Sequence, residues 1–97
     1  EATYPAAHAA MQKELVPDTL TLLYTWPGSD PALKPLLLMA HQDVVPVNIG
    51  TEGDWEGEPF AGEIIDGYIY GRGAIDDKGS LVALMEAAEA LAASGFK

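Results

Sequence analysis

The sequence predicts an α/β fold, and three stretches carry the prediction. Leu36 to Ala40, inside "LLLMAHQDVVPV" (36–47), is a continuous apolar run, as expected of a strand covered on both faces. A buried helix fits it poorly, because the run is short and follows Pro35. "GEIIDGYIYGRG" (62–73) has two short strand-like segments around Asp66-Gly67, a dipeptide suited to a type I′ turn whose central residues both need φ > 0. From Gly79 to Ser94, Leu81, Leu84, Met85, Ala88, Leu91 and Ala92 recur at steps of three and four and form one apolar stripe.

The other elements follow in order. "YPAAHAAMQKEL" (4–15) predicts a helix with Pro5 in its first turn and Ala7, Met11 and Leu15 on one face. "DTLTLLYTW" (18–26) predicts a strand, with Thr and Tyr favouring a sheet. "PGSDPALKP" (27–35) is a loop by its prolines and glycine. "VNIGTEGDWEGEPF" (47–60) is a second, acidic loop that Trp55 and Phe60 are expected to pack. Asp77 is placed to cap the last helix and Gly95 to end it in the left-handed conformation; Glu86 and Glu89 fall off its apolar stripe.

Composition narrows the function. The chain has 97 residues, 48% of them hydrophobic, so its core is small. No cysteine is present, which removes disulfides and thiolate metal sites. Fifteen acidic residues against five basic ones give a net charge of −10, which argues against nucleic acid and anionic membrane surfaces as partners. No apolar run approaches the length of a bilayer span and no signal peptide is visible; the compartment is left open, with a cytoplasmic setting favoured over others. Both chain ends look like cuts through a longer protein, with the true N-terminus elsewhere.

Two places could carry chemistry. On a strand, residues i and i+2 point the same way, so His41 and Asp43 would project together from the end of the 36–40 run, the edge at which open α/β sheets bind ligands. A metal-bound imidazole needs an acidic or carbonyl partner for its second nitrogen, and His-x-Asp can supply both, although a structural His at a strand end is the commoner case. In "GRGAIDDKGS" (71–80) the glycines do not form a phosphate cradle: neither a dinucleotide fingerprint nor a P-loop ending is present, and Asp76 and Asp77 would repel phosphate. Asp77 suits a helix cap as well as a site. Arg72 is expected to tie loops together through its donors, and His8 to lie on the surface or fill the core. A calcium module is the alternative, but His41 counts against it and no EF-hand loop is present. A non-catalytic acidic α/β module without a metal site is the other.

Taken in order, His-x-Asp, the acidic Trp loop, "PFAG", the hairpin and "GRGAIDDKG" resemble the dizinc aminoacylase and carboxypeptidase family. "LLLMAHQDVVPV" followed by "GRGAIDDKGS" is similar to its carboxypeptidase S and N-acyl-amino-acid hydrolase branch, and succinyl-diaminopimelate desuccinylase is another member. The resemblance runs from about Leu20 to Lys97. It implies part of a zinc-peptidase catalytic domain, with a mixed, largely parallel sheet, an edge hairpin and flanking helices.

The resemblance also implies site roles. His41 would ligate one zinc. Asp43 would take a catalytic role by bonding His41 and raising its basicity. Asp76 would bridge two zincs, with cobalt or manganese as substitutes, and Asp77 would follow it across a cis peptide bond. The substrate would be a small peptide or an N-acyl amino acid. The general base, in a Glu-Glu pair, and the remaining ligands have no counterpart in this sequence. The complete protein would carry a separate dimerisation domain and form a homodimer, and the 97 residues alone would be inactive.

Overall fold

The computed structural model describes residues 1–97. In chain order its elements are α1 (Pro5–Ala10), β1 (Gln12–Leu15), β2 (Leu22–Thr25), β3 (Glu63–Ile65), β4 (Tyr68–Tyr70) and α2 (Ser80–Ala93). A single 3₁₀ turn spans Glu52–Asp54, and a wide irregular turn spans Ala74–Gly79 ahead of α2. Helices and strands are both present, as the α/β class requires. The chain divides into two compact units, Glu1–Leu37 with Leu84–Lys97, and Leu38–Ala83.

In the first unit the helix expected over 4–15 ends at Ala10. Met11 is already extended (φ −113°, ψ 147°), although its N–H still donates to the Ala7 carbonyl at 3.1 Å. Gln12–Leu15 instead pairs antiparallel with Leu22–Thr25, in the register Gln12↔Thr25 to Leu15↔Leu22. The hydrogen-bonded ladder outweighs helical spacing here, because Leu15 is 59% exposed and has no apolar face to complete. The strand expected over 18–26 shortens for a local reason. Asp18 has φ 60°, and both the N–H and the hydroxyl of Thr19 donate to the Val16 carbonyl, while Thr21 N–H donates to Thr19 Oγ1. These side-chain bonds turn the chain before pairing starts.

Helix α2 matches its prediction closely. Leu84, Met85, Ala88 and Ala92 are half-buried, while Leu91 is exposed. Gly95 ends the helix at φ 77°: its N–H donates to the Ala92 carbonyl and Phe96 N–H to the Leu91 carbonyl, at 3.0 and 3.1 Å. That pair of bonds is a Schellman termination. Phe96 then meets Trp26 edge to face, with ring centroids 6.1 Å apart. Glu89, expected off the apolar stripe, is half-buried, and its carboxylate accepts the N–H groups of Ala6 (3.0 Å) and Ala7 (2.7 Å). Those are first-turn donors of α1 that have no partner within the helix, and Pro5 ahead of them has no N–H to satisfy. Ala7 is fully buried beneath this contact. His8 packs edge-on to Tyr24 at 5.4 Å.

In the second unit the hairpin forms as predicted. Glu63–Ile65 pairs antiparallel with Tyr68–Tyr70, and the turn places Asp66 at φ 49° and Gly67 at φ 84°. The strand expected over Leu36–Ala40 does not form. A buried parallel strand needs a neighbour on each side and a layer on each face, and the four strands of this chain are already engaged in two separate antiparallel pairs. The apolar run is therefore open, with Leu36 and Met39 81% and 79% exposed. Phe60, expected to pack the acidic loop, is exposed as well.

Candidate metal centre

Two segments of the second unit build the site: the end of "LLLMAHQD" and the turn after β4. Three backbone bonds shape that turn. Arg72 N–H donates to the Pro59 carbonyl at 2.6 Å, Ala74 N–H to Gly71 at 3.1 Å, and Lys78 N–H to Gly73 at 3.1 Å. Gly73 is required twice over, since its φ is 83° and a Cβ there would overlap Val44 Cγ1. Val44 approaches this glycine closely, and its neighbour His41 meets both members of the aspartate pair. The peptide bond between Asp76 and Asp77 is cis.

His41 and Asp76 are 35 positions apart in sequence, yet His41 Nε2 lies 3.3 Å from Asp76 Oδ1. The other ring nitrogen, Nδ1, is 3.0 Å from the main-chain carbonyl of Asp43 and 3.4 Å from its carboxylate Oδ1. The nearer partner is thus the backbone of Asp43, where its side chain had been expected. A carbonyl can only accept, so Nδ1 carries the proton, and in the neutral imidazole Nε2 presents a lone pair. Asp77 holds the segment from the other side: its Oδ2 accepts the His41 N–H at 3.3 Å. The Ser80 hydroxyl beside it is the main reason the Asp77 carboxyl lies below the usual range. Asp77 thereby contacts the start of α2 and the His41 backbone together.

A lone pair on Nε2 and a carboxylate oxygen 3.3 Å away repel one another unless positive charge lies between them. A proton on Nε2 satisfies this as an imidazolium–carboxylate pair. The His41 imidazole is pushed above its ordinary 6.5, first by its bond to the Asp43 carbonyl, against partial desolvation, and then by the charges of Asp43, Asp76 and Asp77. A divalent cation would satisfy it as well, and imidazole with carboxylate is a donor set that zinc, cobalt and manganese accept. The residues present therefore fit a metal as two ligands. No group of three or more His, Asp or Glu side chains is arranged to complete a shell.

A cavity of about 370 Å³ opens beside these groups, lined by His41, Asp43, Val44, Arg72, Gly73 and Asp76 among others. Arg72 does not tie loops together through side-chain hydrogen bonds, as its donors had suggested. Its guanidinium lies over the Trp55 ring, 5.0 Å from the centroid, and Nε is buried without a partner. Trp55 packs its loop by this stack. The signal for the Gly73 and Val44 contact was available in the Gly-x-Gly at 71–73; nothing local pointed to Trp55 as the partner of Arg72.

The profile of peptidase family M20/M25/M40 matches residues 37–97, which take in every residue of this site. The chain belongs to that family. Over 99 aligned positions the M20 chain is 52% identical to carboxypeptidase S of Saccharomyces cerevisiae, covering all of this chain and 17% of the yeast protein. It is 52% identical over 81 residues to the human N-fatty-acyl-amino acid synthase/hydrolase PM20D1, covering 84% of this chain and 15% of the human protein. The mouse protein of the same name is 45% identical over 84 residues. The M20 chain thus spans less than a fifth of the length of these relatives.

Proposed function

We propose that this chain is the N-terminal, metal-binding part of a hydrolase that cleaves a peptide or N-acyl amide bond next to an amino acid. The observation that carries the proposal is the approach of His41 Nε2 to Asp76 Oδ1, an imidazole nitrogen and a carboxylate oxygen 3.3 Å apart. Family membership and relatives named for carboxypeptidase and N-acyl-amino-acid hydrolase chemistry support the reaction class.

His41 and Asp76 would hold the metal, zinc by preference over cobalt or manganese. When bound, such a metal polarises a carbonyl and lowers the pKa of a coordinated water. The chain's own residues prepare that position. The Asp43 carbonyl accepts the proton on Nδ1 and so keeps the Nε2 lone pair turned towards Asp76. Asp77 fixes the backbone from which the imidazole projects. Gly73 admits Val44 and so sets the distance between the two ligand-bearing segments. Two ligands fall short of a four-coordinate shell, so the 97 residues alone bind zinc weakly and turn over no substrate. The remaining ligands and the general base come from the rest of a longer protein, proposed to act as a homodimer in the cytoplasm.

The test is zinc content and N-acyl-amino-acid hydrolysis by the full-length protein and its His41→Ala and Asp76→Ala variants. Loss of both properties in each variant is expected. Full zinc occupancy and unchanged hydrolysis in either variant would contradict the proposal.

A further inference from the structure

We infer that Trp55 is a positioning residue for the metal ligand Asp76 and acts through Arg72, an assignment that rests on the metal-binding function proposed above. Asp76 stands on a turn held by its own backbone. The Gly71 carbonyl accepts the Ala74 N–H and the Gly73 carbonyl accepts the Lys78 N–H, both at 3.1 Å. The stretch 71–78 is thus one hydrogen-bonded path, with Arg72 near its start and Asp76 within it. Two other segments hold that path. The His41 segment does so through Val44 at Gly73 and through the His41 N–H, which donates to Asp77. The segment from Trp55 to Gly62 does so at Arg72 and the residue before it. Arg72 N–H donates to the carbonyl of the buried Pro59, and a Cβ on Gly71 would lie 3.3 Å from the Gly62 Cα. The third hold is the Trp55 ring, whose centroid is 5.0 Å from the Arg72 guanidinium.

The ring is the hold that Arg72 cannot replace. The chain carries 15 acidic side chains, yet Arg72 forms an ion pair with none of them, and its Nε is shielded and makes no hydrogen bond. Indole is the strongest of the aromatic partners for a cation, and the distance is within the range at which the attraction acts. Without it, a shielded donor and an unpaired cation are costly where they stand, and the guanidinium gains by moving to water. Movement of Arg72 shifts the turn that carries Asp76, whose Oδ1 must stay near His41 Nε2, 3.3 Å away, for the two to share a cation. Arg72 and Asp76 also line the same cavity, so nothing but the turn separates the stack from the ligand.

The test measures zinc affinity of the full-length protein by competition with a chelator. Trp55→Leu keeps apolar bulk without a π face and is expected to weaken zinc binding about tenfold, the low end for a group supporting a ligand from behind. Trp55→Phe keeps an aromatic face and should stay within about threefold of wild type. Equal losses in the two variants, or wild-type affinity in Trp55→Leu, would overturn the assignment. Action through Arg72 has its own readout: the Trp55→Leu, Arg72→Gln double variant should lose no more than the larger single loss, and losses that multiply would overturn it. A further readout needs no metal. In the zinc-free protein the 15N resonance of His41 Nε2, which senses Asp76, should move in Trp55→Leu and hold its place in Trp55→Phe; an unmoved resonance in Trp55→Leu would overturn the assignment. If Trp55→Leu does not fold, Arg72→Gln removes the same stack from its other side and carries the zinc and resonance comparisons against Trp55→Phe. A wild-type protein that binds no zinc would refute the metal-binding function, and the zinc-free resonance would still decide the role of Trp55.

Discussion

Glu89 in the first unit and Asp76 in the second are both carboxylates brought to partners distant in sequence, and their partners are of opposite kinds. Glu89 meets two N–H donors of α1 at 3.0 and 2.7 Å. Donor and acceptor match, so the contact is complete and its product is stability. Asp76 meets the Nε2 of an imidazole whose other nitrogen already donates to a carbonyl. With the imidazole neutral, acceptor faces acceptor, and the contact closes only when a proton or a cation lies between them. The contrast teaches where to look for function in a small chain: Glu89 meets donors that it satisfies in full, while the pair of His41 and Asp76 needs a proton or a cation between its members.

The largest effect expected on that contrast comes from His41→Ala or Asp76→Ala in the full-length enzyme. Either should lower kcat/KM on the order of a thousandfold or more, since a metal supplies several kcal/mol at the transition state. Gly73→Ala comes next. Its Cβ would overlap Val44 at a backbone φ of 83°, and a displacement of the ligand segments near 1 Å is expected to cost about a hundredfold in kcat/KM. Asp43→Asn should cost metal affinity about tenfold, the low end for an outer partner of a metal-bound His, because the main-chain carbonyl at 3.0 Å remains when the carboxylate at 3.4 Å is lost. Competition with a chelator measures it. Glu89→Ala should remove about 1–2 kcal/mol of stability in denaturant unfolding, the size of a lost helix cap, and leave zinc affinity unchanged. A loss of zinc affinity in that variant would break the division between the two contacts.

The smallest expected effect is a titration. In the metal-free protein the His41 ring should titrate above its ordinary 6.5, chiefly through its bond to the Asp43 carbonyl. For a group whose folded pKa is raised, the stabilising contribution is full below the ordinary value and fades as pH rises through the folded one. Metal binding has the opposite sign, because the proton on Nε2 competes with the cation, so affinity should climb across the same interval. Proton NMR of the ring against pH, with and without zinc, reads both.

Local patterns in the sequence found what local physics determines. Asp66-Gly67 was legible because few dipeptides hold two positive φ values in succession, and α2 because its stripe and Gly95 are local features. Pairing is not local. Gln12–Leu15 looked helical because its partner Leu22–Thr25 lies beyond a loop, and Leu36–Ala40 looked like a strand although no strand of this chain pairs with it. Glu89 was placed off the buried face because the N–H groups it serves are more than 80 residues away. The site divides in the same manner. His-x-Asp was visible as a spacing, whereas no periodicity joins His41 to Asp76, and their pairing came from family resemblance before the structure set them 3.3 Å apart.

The most direct test of the account is a zinc titration of the full-length protein carrying 15N-labelled histidine, followed at the ring nitrogens of His41. The account predicts that the Nε2 resonance shifts on zinc binding while Nδ1 keeps its proton, and that Asp76→Ala abolishes the shift. An unperturbed Nε2 at saturating zinc, or an identical shift in Asp76→Ala, would contradict it.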